Sequence, residues 1–171
     1  MSYAMLILVA TIAAFVLQLV APPFVNYLWL DPKAVFAMPW TLVTSIFLHG
    51  GFTHLFFNMF ALIIFGPLLE GKIGSKNFIA LYFISGVASG LGYIVTGGTV
   101  PALGASGAIF GILGALAFLE PNMIVFVGFI PMPMWLAGIF WFVTETLFGV
   151  YELSNIANFA HVFGLVVGYF Y

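Results

Sequence analysis

Between Lys76 and Glu120 this chain has no charged side chain, and none precedes Asp31 or follows Glu152. Uncharged apolar runs of that length cannot form the surface of a water-soluble domain; each has room for the roughly 20 residues that a helix needs to cross hydrocarbon. Inside a bilayer no water satisfies backbone N–H and C=O groups, so the chain must satisfy them itself, and helices are the way to do so segment by segment. The expected class is an all-α membrane protein. Composition agrees: hydrophobic residues make up 64% of the 171 residues, charged ones 5%, and mean hydropathy is +1.25, outside the range of soluble domains. With only three Lys or Arg there is no basic patch, which excludes nucleic-acid binding. The absence of cysteine removes disulfides, thiolate metal sites and a cysteine nucleophile together.

The apolar runs and their breaks predict six transmembrane spans in one domain covering residues 1–171, at about 3–20, 53–69, 77–95, 105–119, 133–149 and 156–171. The first has neither a basic start nor a small-residue cleavage site and reads as a retained span. Lys72 and Lys76, between the second and third spans, put that loop and both termini in the cytoplasm by the positive-inside rule. The second, fourth and sixth spans then begin on the outer side. The last span is short and lacks a charged tail, as in a chain trimmed at its C-terminus. Short loops and the lack of cysteine point to a prokaryotic cell membrane. The first loop, 22–52, is too long for a tight connection and carries Phe24, Tyr27, Trp29, Phe36, Trp40, Ile46 and Phe47. Such a segment belongs in the outer interface, as an aromatic anchor or as a lateral brace for a site beneath it.

The polar residues converge at one depth. His54 and Asn58 are one turn apart at the outer start of the second span, Ser106 opens the fourth, and His161 lies about a turn into the sixth. At ~1.5 Å rise per residue, each is within about 10 Å of its helix start. Serine hydrolysis requires a nucleophile, a base within hydrogen-bond reach and donors for the developing oxyanion. Ser106 can attack, His161 can take its proton, and His54, Asn58 and the Ser106 backbone N–H can donate to the oxyanion. No aspartate stands in any span, so a Ser–His dyad is the economical arrangement. Taken singly, a helical serine bonds its own i−4 carbonyl, and a buried His or Asn is interhelical glue. Several such residues at one depth make that coincidence expensive. A metal site is not expected: no HExxH pair exists, and Asp31 is the only carboxylate near these histidines in sequence. Gly107 and Gly111 on the fourth span, and Gly164 and Gly168 on the sixth, form small-xxx-small stripes that let the helices bearing Ser106 and His161 approach closely.

At this point the chain resembles the rhomboid intramembrane serine proteases, from its first span to Gly168. The resemblance is carried by Trp40, the run His49–Asn58 (HGGFTHLFFN), Glu70 with Gly74, the box Gly104-Ala105-Ser106-Gly107, and the run Ala160–Gly168 (AHVFGLVVG). It implies a six-helix rhomboid-type bundle in which Ser106 and His161 form the dyad and His54 and Asn58 help hold the oxyanion. It also implies an endopeptidase that cuts transmembrane segments of other proteins, with no cofactor and with the fifth span, next to the loop 150–158, as the gate. Two departures stand out. Trp40 is followed by Thr41 where the family often has arginine, and Phe110 stands where a tyrosine often stacks on the catalytic histidine.

Glu145, near the outer end of the fifth span, is expected to reach lipid headgroups, although an intramembrane carboxylate is otherwise a functional candidate. Glu70 reads as a structural acceptor for the loop that follows it, and Glu120 and Glu152 as solvated loop charges. The expected partners are membrane-protein substrates and the bilayer; the sequence does not fix the oligomeric state. Two rivals remain: a catalytically silent rhomboid-like protein that binds membrane helices, and a small proton or ion transporter using the histidines. Retention of both Ser106 and His161 argues against the first, and the lack of repeats or broken helices against the second.

Overall fold

The computed structural model describes residues 2–151 and 157–171. Among the described residues seven helices follow one another: α1 (Tyr3–Val20), the short α2 (Thr41–Thr44), α3 (Phe52–Ile73), α4 (Ser75–Val95), α5 (Ser106–Leu119), α6 (Met134–Val150) and α7 (Asn158–Phe170). By length and composition α1, α3 and α4 can each cross a membrane, while α5, α6 and α7 are shorter apolar helices. Local signals set the ends. Ser2 caps α1 by accepting from the Met5 N–H at 3.3 Å, and Pro22-Pro23 closes it with a 3-10 turn over Pro22–Tyr27. Gly74, at φ +79°, makes the break between α3 and α4, a left-handed backbone that glycine tolerates without cost.

α3 runs four residues beyond its expected end at Leu69, because Glu70 is anchored rather than frayed. Its Oε1 accepts from the Tyr3 N–H and the Ser75 hydroxyl, and its Oε2 from the Ala4 N–H, at 2.7–3.0 Å. A carboxylate at the start of α1 satisfies donors that the helix leaves unpaired and meets the positive end of its dipole. Glu70 thus ties α1, α3 and the start of α4 together. Glu120, expected to be a solvated loop charge, is partly exposed and also pairs with Lys72 across the same end of the bundle. Glu152 lies outside the described residues.

The fold is not purely helical. Ile124–Val127 (β1) and Ile130–Pro133 (β2) form an antiparallel hairpin between α5 and α6. Ile-Val-Phe-Val is a β-favouring run, and Gly128 at φ +63° supplies the turn. Too short to alter the hydropathy pattern, it is invisible to a search for spans.

α5 is the axis of the bundle, buried along almost its whole length from Gly107 to Ala117 and packed against α3, α4, α6 and α7. Backbone approach is closest between α5 and α7. A Cβ added at Gly164 would overlap the Gly107 carbonyl, and one at Gly168 the Gly111 carbonyl. The outward faces of α1, α3 and α6 expose apolar side chains such as Leu19, Phe57 and Ile139, the surface expected where lipid replaces water.

The first loop folds onto this frame. Leu30, Val35, Ile46 and Leu48 are buried, while Phe24, Tyr27 and Phe36 are exposed, Phe36 almost completely at 97%. Ile46 fills the space left by Gly86 on α4. The Trp40 indole N–H donates to the Tyr27 carbonyl at 2.8 Å, pinning the loop to itself. Gln18 on α1 holds its far end, its amide bonding both the N–H and the carbonyl of His49.

Candidate active site

Ser106 is the first residue of α5, where backbone N–H groups have no partner within the helix. The strand-like segment before it is fixed from the first loop: Leu30 and Ala102 exchange backbone hydrogen bonds at 2.8–2.9 Å, and the Gly104 N–H donates to the Ser45 carbonyl at 3.0 Å. The loop therefore braces the position of Ser106 as well as presenting aromatic rings outward.

His161 comes from the first turn of α7 and is buried, at 8% exposure. Its Nε2 lies 2.7 Å from Ser106 Oγ. The glycine stripes explain the approach: without side chains at Gly107 and Gly164 the two helices come close enough for a serine and an imidazole to touch. Phe110, one turn below Ser106, stacks on the imidazole with centroids 4.5 Å apart and planes 12° from parallel. Trp141 of α6 meets Phe110 edge-on.

On the other side of Ser106 stands His54. Its Nδ1 accepts from the Gly50 N–H at 3.3 Å, which leaves the ring proton on Nε2 as a donor. Gly104 has φ +133°, and a Cβ there would fall 2.8–3.0 Å from the edge of the His54 ring and 3.8 Å from Ser106 Oγ. The missing side chain thus lets the donor edge of His54 stand beside the serine hydroxyl. Asn58, buried below His54, donates one amide N–H to the His54 carbonyl at 2.8 Å; an amide has a second. His54, Asn58, Ser106 and His161 line one cavity of about 760 Å³, together with Phe57 and the Val100–Leu103 segment.

One residue departs from expectation. Glu145 does not reach outward to headgroups. Its Oε2 accepts from Asn158 Nδ2 at 2.6 Å and lies 3.0 Å from His161 Nδ1. With its side chain only 17% exposed, it faces the bundle interior. In the sequence Glu145 is an intramembrane carboxylate sixteen residues before the histidine, but that spacing does not show which way it faces. Trp40 and Glu70 lie away from the cavity, in the loop and at the opposite end of α3. Of the loop 150–158 next to the expected gate, residues 152–156 lie outside the described residues.

A helical membrane protein with a serine and a histidine in contact, lining one open cavity, is the class that this architecture defines. The Rhomboid domain family model matches residues 37–171, and the chain belongs to the rhomboid family. It is similar to the rhomboid-type protein YdcA of Bacillus subtilis, with 36% identity over 134 residues, 76% of this chain and 64% of that relative. Rhomboid protease GluP of the same organism is 37% identical over 132 residues, 77% of this chain and 25% of its own length. Inactive RHOMBOID-like protein 8 of Arabidopsis thaliana is 34% identical over 77 residues, 45% of this chain and 22% of its own. The chain thus spans less than two thirds of each of these relatives, and the family holds inactive members.

Proposed function

We propose that this protein is an intramembrane serine endopeptidase that cleaves transmembrane segments of other membrane proteins. The observation that carries the reading is the 2.7 Å approach of His161 Nε2 to Ser106 Oγ. In the attack, His161 takes the hydroxyl proton as Oγ bonds to the substrate carbonyl carbon, then returns it to the leaving amine; water hydrolyses the acyl-enzyme by the same path reversed. The Ser106 backbone N–H and the His54 Nε2–H flank the hydroxyl and supply donors to the oxyanion, with Asn58 beneath contributing its second amide hydrogen.

In this reading α1, α3, α4, α5, α6 and α7 are six spans of a single domain, with both termini cytoplasmic and the cavity opening toward the outer side. Ser106 starts α5 at the end of the bundle away from Lys72 and Lys76, which supports that orientation. The exposed aromatic residues of the segment 22–52 then lie in the outer interface. Substrate enters sideways from lipid, water from outside, and no cofactor takes part. The silent-binder alternative fails to account for a base held against a nucleophile.

The test is labelling of the purified protein in detergent by a fluorophosphonate probe, together with cleavage of a model transmembrane substrate. Wild type labels and cleaves; Ser106→Ala does neither, and His161→Ala loses cleavage. Equal labelling of wild type and Ser106→Ala removes Ser106 as nucleophile. Ion flux that survives Ser106→Ala would favour a transporter.

A further inference from the structure

We propose that Glu145 of α6 is a positioning residue for His161, so that the site operates as a Ser106–His161–Glu145 relay whose third member is carried by a different helix from the other two. The proposal rests on the protease reading above and deepens it. His161 Nε2 faces Ser106 Oγ at 2.7 Å, and the opposite ring nitrogen, Nδ1, faces Glu145 Oε2 at 3.0 Å. An ionised carboxylate can only accept, so Nδ1 carries the ring proton and Nε2 presents a lone pair to the serine. That is the tautomer a general base needs. When Nε2 takes the serine proton, the resulting imidazolium lies against a negative charge in a water-poor site; the proton stays on the imidazole and does not pass to Glu145.

The surroundings favour this role over a chance contact. The Glu145 side chain is 17% exposed and that of His161 10%, so the pair is largely withdrawn from solvent. Asn158, three residues before His161 on α7, donates to the same Oε2 at 2.6 Å, fixing the carboxylate from the helix that bears the histidine. Phe110 covers one face of the imidazole, so rotation of the ring is blocked. Among the described residues, the titratable groups facing His161 are Glu145 from α6 and His54 from α3; from α5 it meets Ser106 and Phe110.

α6 itself is held unevenly. Its buried residues, Met134, Ala137 and Gly138, all lie in its first turns, whereas its outer half exposes Phe142, Val143, Leu147 and Phe148. Among the described residues, the Glu145 carboxylate links that outer half to α7 through Asn158 and His161.

The experiment compares wild type, Glu145→Gln, Glu145→Asp and Ser106→Ala in detergent, measuring kcat and KM for a model transmembrane substrate across pH 5–9. Glu145→Gln is expected to lose about 10²–10³-fold in kcat with KM within about twofold, because an amide also supports the unproductive tautomer. Its pH–rate profile should no longer superimpose on that of wild type, a readout that a merely structural contact would not move. Glu145→Asp should recover at least about tenfold of the loss. A Glu145→Gln enzyme within about threefold of wild type, with a superimposable pH profile, overturns the relay and leaves the protease reading intact. If wild type neither labels nor cleaves, the protease reading fails instead. Should Glu145→Gln not fold, or wild type prove inactive, ¹⁵N-histidine spectra of the wild-type protein decide the tautomer. A proton on His161 Nδ1 at neutral pH supports the relay, and one on Nε2 overturns it.

Discussion

Phe110 lies flat against His161, ring over ring at 4.5 Å, with Trp141 edge-on behind it. The phenyl ring has no hydrogen-bonding group, so its contribution is shape: it limits the imidazole to the plane in which one nitrogen meets Ser106 and the other Glu145. Aromatic pairs of this kind are worth about 0.5–1.5 kcal/mol beyond buried area. Phe110→Ala should therefore lower kcat by about tenfold with the fold retained, as judged by an unchanged melting profile within a few degrees. Phe110→Tyr should stay within about threefold of wild type. A Phe110→Ala enzyme at full rate would reduce the ring to simple packing.

His54 should matter more than Asn58. The His54 ring edge adjoins Ser106 through the gap left at Gly104, whereas Asn58 already spends one amide hydrogen on the His54 carbonyl. Removing one oxyanion donor costs about 10²–10³ in kcat where that donor acts fully. We expect a loss in that range for His54→Ala and a smaller one, about tenfold, for Asn58→Ala. Steady-state kinetics on a model transmembrane substrate measure both. The reverse order would assign the stronger donor to Asn58.

Much of this arrangement is legible in the residues themselves. Charge-free runs locate the long helices, and the glycine stripes on α5 and α7 announce the close approach that brings Ser106 and His161 together. What the sequence hides has physical causes. Glu145 looks like a headgroup-seeking carboxylate because hydropathy records its depth near the end of α6 but not its azimuth; only packing of α6 on α7 turns it inward. The hairpin at 124–133 is too brief to register against the apolar runs beside it. The anchoring of Glu70 by the N-terminus of α1 joins residues more than sixty apart, and no local pattern encodes it.

The α5–α7 seam offers a stability test. A side chain at Gly164 has no room, since its Cβ would fall on the Gly107 carbonyl, and backbone does not move aside as a flexible side chain can. Gly164→Val should destabilise the protein by at least about 1–3 kcal/mol and separate the two helices enough to abolish probe labelling. Gly71, near the end of α3, has open space where a Cβ would stand, with nothing within 4 Å, so Gly71→Ala serves as the control and should label normally. Thermal unfolding in detergent and probe labelling measure the two consequences separately. Retained labelling with normal stability in Gly164→Val would mean that the seam is not what holds serine and histidine together.

His49 provides a pH-dependent prediction in the first loop, outside the helices. It is buried at 2% exposure, with its ring edge-on to His54 at 5.0 Å. Burial, reinforced by the neighbouring His54, lowers its pKa from 6.5 to about 4, and a contact with the Phe47 backbone opposes this only in part. A histidine whose folded-state pKa is depressed is protonated more readily in the unfolded chain. Its contribution is fully present above about pH 6.5 and is lost as pH falls toward 4, reaching about 3 kcal/mol at the lower limit. The measurement is the difference between wild type and His49→Leu, which cancels contributions common to both proteins. Melting temperatures followed from pH 7.5 to 4.5 should show wild type losing stability faster than the variant as pH falls. Parallel curves would mean that His49 meets the proton as easily in the folded protein as in the unfolded one.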